Sequence, residues 1–159
     1  MIRPATPQDI PQILEIFDIA RSFMRRNGNF AQWTGSYPGE TEVSTDIELG
    51  EEFVIEENGK VCAVFTLMGR PEPTYSVIDD GKWLQSGPYG TIHRIASSGE
   101  CRGTVQKAVE YALRFYPVLR CDTHADNLPM QHALINAGFV HCGTVYMADG
   151  TERMGFERI

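Results

Sequence analysis

Two histidines, one carboxylate and one glycine-containing turn carry most of the chemistry available to this chain. His93 and His124 have imidazoles that exchange a proton near neutral pH, and Asp122 stands close enough in sequence to orient one of them. The stretch Ser97-Ser98-Gly99-Glu100-Cys101-Arg102-Gly103 is a turn placed directly before a helical pattern. The N–H groups of Gly103, Thr104 and Val105 at such a helix start have no partner within the helix, and the helix dipole favours an anion there, a phosphate above all. Arg102 and Lys107 add positive charge beside it. Further on, Asp126-Asn127 opens another helix that closes on Gly138-Phe139, with Asn127 typed as an N-cap. Trp33 and Tyr37 stand on a loop, either as an aromatic wall that attracts a cationic ligand or as anchors that pin the loop to the core. The histidines have a plain structural reading as well, and Arg94 reads as a buried ion-pair partner rather than a catalyst.

The elements that must hold these residues follow from periodicity and punctuation. Met1 to Ala5 is a short strand candidate, and Thr6-Pro7-Gln8-Asp9 reads as a helix start with Thr6 as cap and Pro7 in the first turn. Ile10, Ile13, Leu14, Phe17, Ala20 and Met24 then recur at helical spacing, up to Asn27-Gly28. A loop over 29–39 and a short helix around 42–50 precede the clearest hairpin, 53–57 and 60–68 about the tight turn Asn58-Gly59. The stretch 70–87, with Pro71, Pro73, Gly81 and Trp83, reads as a long irregular insertion with room for a small extra hairpin. A strand over 89–96, a helix over 104–115 stopped by Pro117, a strand over 118–123 and a helix over 128–137 follow, and strands 139–147 and 152–159 flank Asp149-Gly150. The fold class expected is α/β (α+β), a mixed sheet of about seven strands with helices on its faces. Strand alternation places His93 and Ile95 on one face and Arg94 and Ala96 on the other, while Arg120, Asp122 and His124 share a face.

Composition narrows the classes. With 159 residues and 42% hydrophobic, the chain suits a single domain that buries one core without a metal or disulfides. Cys62, Cys101, Cys121 and Cys142 form no Cys-x-x-Cys pair, so reduced thiols are expected and no metal site. No stretch approaches the roughly 20 apolar residues of a membrane span and the N-terminus lacks a signal core, so a cytoplasmic protein without a membrane partner is the expectation. A net charge of −7 repels nucleic acid and favours a cationic small partner.

The order strand, glycine turn at Arg102-Gly103, helix, strand, Asn127-capped helix and Gly138-Phe139 closure resembles the GCN5-related N-acetyltransferase (GNAT) superfamily. Thr6 with Asp9 matches the usual opening of these proteins. A more specific likeness, to a bacterial branch of the superfamily, lies in Gln32-Trp33, Tyr37-Pro38, Ile92-His93-Arg94-Ile95-Ala96, Asp122-Thr123-His124 and Asp149-Gly150 with Arg153. The resemblance implies the acyl-CoA N-acyltransferase fold, mostly antiparallel, and acetyl-CoA as co-substrate. It implies an N-acetyltransferase that passes an acetyl group to the amine of a small molecule or peptide, by direct attack in a ternary complex. It further implies that Ile95, Ala96 and Ser97 lie along the cofactor, with N–H groups near Ala96 and Ser97 for the thioester oxygen, and that Arg102, Gly103, Thr104 and Val105 meet the pyrophosphate. Asn127 and Met130 would lie at the pantetheine arm, Asn127 being equally readable as a plain cap. His93 or His124, with Asp122, would manage protons. A homodimer is left open, since late strands of this fold often pair between chains. Two departures stand out: Val105 and Lys107 occupy positions where the superfamily has small residues, and Leu134 stands where many members carry a tyrosine that protonates the leaving thiolate. They keep open a second class, a non-catalytic acyl-CoA-binding or sensor protein on the same fold, and beyond it a binding domain without coenzyme A.

Overall fold

Along the chain the elements are β1 (Ile2–Pro4), α1 (Ile10–Arg26), α2 (Glu40–Glu48), β2 (Glu52–Glu57), β3 (Lys60–Met68), β4 (Gly90–Ser97), α3 (Thr104–Ala112), β5 (Leu119–Thr123), α4 (Leu128–Asn136), β6 (Val140–Tyr146) and β7 (Glu152–Arg158), in a computed structural model that describes residues 1–159. The seven strands form one sheet in the order β1-β2-β3-β4-β5-β7-β6. β4 and β5 run parallel, whereas β1 with β2, β2 with β3, β5 with β7 and β6 with β7 are antiparallel. No helix is long and apolar enough to cross a membrane.

Local sequence accounts for most boundaries. Asn58 and Gly59 both have positive φ, 54° and 75°, as the tight turn between β2 and β3 requires. The Thr6 N–H donates to Asp9 Oδ2 at 2.8 Å, but the first turn, Pro7–Asp9, is a 3-10 turn, and α1 begins only at Ile10. α3 ends at Ala112, short of the expected Phe115. Over 70–87 no hairpin forms. That segment instead contains a 3-10 turn at Pro73–Tyr75 and an antiparallel bridge from Asp79 to Thr144, which with Lys82 N–H to Cys142 O covers the outer edge of β6. Gly143 makes this approach feasible, since a Cβ there would stand 2.5 Å from Asp79 O. A covered edge offers fewer unpaired backbone groups to other chains.

Residues 1–67 with 94–104 form one compact unit and 68–93 with 105–159 another, so β4 contributes to each. In the first, the buried stripe of α1, Ile13, Ile16, Phe17, Ala20 and Met24, belongs to a core with Val43, Val54, Val64 and Ala96. Trp33 joins it edge-on to Phe17, ring centroids 5.4 Å apart. In the second, Leu119, Leu134, Val145 and Phe156 are buried, and so is an ion pair, Arg120 with Glu157.

Candidate functional site

In the parallel pair, Gly90 lies opposite Leu119 and Thr91 opposite Arg120. The same register carries His93 and Asp122, each two residues further along, to neighbouring positions, with His93 Nδ1 3.9 Å from Asp122 Oδ2. The other ring nitrogen, Nε2, is 3.0 Å from Glu72 Oε2. Tyr75 donates its hydroxyl to Asp122 Oδ2 at 2.6 Å, and its ring lies 6.0 Å from that of His93. His93, Glu72 and Asp122 keep 20%, 14% and 9% of their side chains exposed, so the cluster is shielded without being sealed. Burial works against ionisation of Glu72, but hydrogen bonds from His93 and Thr74 outweigh it and hold the carboxyl at about 2. Burial, aided by the Asp122 charge, pushes the Tyr75 phenol well above its ordinary range, so this hydroxyl stays a donor.

The expected pairing is therefore altered in detail. His93 and Asp122 do come together, but the carboxylate bonded to the imidazole is Glu72, and the group bonded to Asp122 is Tyr75. His124 does not share this cluster: its Nδ1 accepts from the Asp126 N–H at 3.0 Å, where the chain turns into α4. Glu72 and Tyr75 belong to the stretch that periodicity leaves irregular. One local signal marks them, an acidic cap before a turn begun by proline: Glu72 Oε1 accepts from the Thr74 hydroxyl at 2.9 Å and its N–H at 3.4 Å. The stretch is fastened across β5 and β7. Trp83 Nε1 donates to Tyr75 O, Glu157 accepts from the Leu84 and Gln85 N–H groups, and the Arg120 guanidinium lies 4.2 Å and 4.0 Å from the Trp83 and Tyr89 ring centroids.

Immediately after His93 the strand departs from simple alternation. Arg94 has φ 49°, the left-handed region, which costs a non-glycine residue about 1–2 kcal/mol. His93 and Arg94 are both half-buried while Ile95 and Ala96 are both buried, so burial does not alternate along this stretch. Compensation comes from the guanidinium, which donates to Asp46 Oδ2 at 2.5 Å and to the Tyr37 hydroxyl at 3.0 Å. Arg94 is thus an ion-pair partner, and Tyr37, 43% exposed, is the far end of its network. Beneath lie Thr66, which donates to Asp46 at 3.2 Å, and Glu52, fully buried with Oε2 unpartnered.

Burial, reinforced by the Asp46 charge, pushes the Glu52 carboxyl from 4.5 up to about 9. The folded protein keeps this proton across the interval in which an unfolded glutamate releases it. Stability from this group is complete below about pH 4.5 and falls as pH rises towards about 9, by at most about 1.4 kcal/mol per pH unit. Glu52→Gln, which mimics the protonated form, is expected to flatten that slope. Urea unfolding at about pH 5.5 and about pH 8.5 tests this, and equal slopes in both proteins would refute it.

The other sequence candidates lie in the following places. Ile95 and Ala96 are buried near the end of β4, and Ser97 turns its hydroxyl to the Gly99 N–H at 3.0 Å, as Ser98 does to Glu100 at 3.2 Å. These two turn N–H groups are satisfied internally, which leaves the donors at the start of α3. There Gly103 has φ 66° with open space where a Cβ would stand, Arg102 is exposed, and Thr104 and Val105 are half-buried. An exposed guanidinium beside an uncrowded helix start fits a phosphate-bearing group. Asn127 is buried and its side chain accepts from the Met130 N–H at 3.2 Å, the cap reading. Trp33, 8% exposed, is a core residue, and Leu134, 1% exposed, presents no ionisable group.

No protein-family model and no curated protein matches the chain. Among solved structures, a GNAT-family acetyltransferase from Streptococcus agalactiae 2603 is 34% identical, with a TM-score of 0.92 over 100% of this chain and 94% of that one. A GNAT-family acetyltransferase from Listeria monocytogenes 4b F2365 has the same fold at 19% identity, TM-score 0.72, covering 99% and 93% of the two chains. So has yncA from Salmonella typhimurium, solved with its cofactor acetyl-CoA, at 17% identity, TM-score 0.63, covering 99% and 91%. Sheet order, the strand–turn–helix at Arg102-Gly103 and full-length similarity at one-third identity agree, and the chain belongs to the GNAT family of acetyltransferases.

Proposed function

We propose that the protein is an acetyl-CoA-dependent N-acetyltransferase that acts on a primary amine by direct attack, without an acyl-enzyme. The observation that carries this reading is the partly exposed His93 imidazole, hydrogen-bonded at one nitrogen and facing the Asp122 carboxylate with the other. Bound acetyl-CoA supplies an activated acyl thioester. Ile95, Ala96 and Ser97 on β4, and Arg102, Gly103, Thr104 and Val105 at the start of α3, are the residues that would hold it. His93 accepts the proton that an attacking amine must lose, and the negative charge of Asp122 stabilises the imidazolium so formed. Direct attack is favoured because all four cysteines are buried, and burial pushes the Cys121 and Cys142 thiols up, away from the nucleophilic thiolate.

Leu134 favours a second reading, a non-catalytic acyl-CoA-binding or sensor protein, because leucine cannot protonate a departing thiolate. One pair of measurements separates the two. Acetyl-CoA at about 100 times its dissociation constant is expected to add roughly 2.7 kcal/mol, or about 5–10 °C in Tm. Release of coenzyme A thiol in the presence of an amine panel would then mark the enzyme. A thermal shift without thiol release for any amine would favour the sensor, and no thermal shift would sink both.

A further inference from the structure

Glu72 has no assigned role, yet its carboxylate is built into place more firmly than its irregular segment suggests. Its backbone N–H donates to the Tyr89 hydroxyl at 3.0 Å, and Oε1 is held by the Thr74 hydroxyl and N–H. That leaves Oε2 aimed at His93 Nε2, 3.0 Å away. An ionised carboxylate can only accept, so whenever the His93 ring holds a single proton that proton sits on Nε2, against Oε2. Nδ1 is then the nitrogen with a free lone pair. Its neighbour Asp122 Oδ2 stands beyond hydrogen-bond distance at 3.9 Å and is already bonded by Tyr75.

We infer that Glu72 is a positioning residue that fixes the His93 tautomer and ring orientation, so that Nδ1 is the proton acceptor during acetyl transfer. The assignment rests on the N-acetyltransferase reading for its catalytic half. In the step itself the amine nitrogen forms the new C–N bond, the C–S bond to coenzyme A breaks with its electron pair on sulfur, and the proton from nitrogen moves to His93 Nδ1. The charged ring then faces Asp122 through Nδ1 and Glu72 through Nε2, and no other group needs to change protonation state before the thiolate leaves.

Glu72→Gln is the informative substitution, because the Thr74 donors select its carbonyl oxygen and turn the amide NH2 towards Nε2. Nε2 must then accept, and the proton shifts to Nδ1. Two readouts test this in the intact protein. Long-range 1H–15N correlation of the imidazoles, with the His93 signal identified by its absence in His93→Ala, is expected to show protonated Nε2 in the wild type and protonated Nδ1 in E72Q. Steady-state kinetics are expected to show kcat lowered about 10²–10⁴-fold in E72Q with the KM for acetyl-CoA within about twofold. Should E72Q fold poorly, Glu72→Asp provides the second variant, with the wild-type tautomer retained and kcat above that of Glu72→Ala. An unchanged tautomer in E72Q, or wild-type kcat with a changed tautomer, overturns the assignment. A wild type that transfers no acetyl group overturns the enzyme reading and the catalytic half with it, while the tautomer is read separately.

Discussion

Replacing Arg120 with alanine is expected to destabilise the protein by about 3–5 kcal/mol, because it strands the Glu157 carboxylate in a fully buried site. In the native protein Arg120 Nε lies 2.5 Å from Glu157 Oε2, Nη2 donates to Gln85 O at 2.8 Å, and the guanidinium plane is flanked by Trp83 and Tyr89. The midpoint of thermal unfolding should fall by roughly 6–20 °C. Arg120→Lys keeps the charge but not the planar donor set, and an intermediate loss is expected from it. The joint change Arg120→Met with Glu157→Leu removes both charges and should recover much of the loss, since a buried ion pair contributes less than its disruption costs. A melting point within about 2 °C of wild type for Arg120→Ala would refute the account. The same substitution should lower activity, because Trp83, Leu84 and Gln85 fasten the segment that carries Glu72 and Tyr75.

His93→Ala is expected to reduce kcat/KM for amine acetylation by about 10²–10⁴-fold, the usual contribution of a positioned general base. Stability should change little, since the imidazole is partly exposed and its removal leaves Glu72 with the Thr74 donors. The acetyl-CoA thermal shift should persist, because the groups expected at the cofactor belong to the end of β4 and the start of α3. Unchanged turnover would remove His93 from the mechanism. Loss of both turnover and the thermal shift would make it a structural residue of β4 instead. His124→Ala is the matched control: its Nδ1 serves the turn into α4, so a smaller effect on turnover is expected.

Much of the architecture was legible because short-range periodicity and turn chemistry encode it. The α1 stripe from Ile13 to Met24, the Asn58-Gly59 turn and the Asn127 cap follow from helical spacing, positive φ and unpaired helix N–H groups. Each rests on interactions within a few residues. His93 and Asp122 were legible as chemical types, and strand alternation placed Asp122 with Arg120 on the face that the 72–89 segment covers.

Tertiary packing decided the rest, for reasons no local pattern contains. Glu72 and Tyr75 became partners of His93 and Asp122 because Arg120, Glu157 and Trp83 bind an aperiodic segment over β5, through contacts up to 73 residues apart in sequence. Arg94 left the β region because Asp46 and Tyr37, far from it in the chain, offer its guanidinium more than alternation would. β7 lies between β5 and β6, an order set by which strand edges find partners and not by the sequence of either strand. Residue identity therefore determined which groups could exchange a proton or grip a phosphate. Long-range burial and hydrogen bonding determined which of them meet, since a side chain's partner depends on what covers it, and its own neighbours in sequence do not specify that.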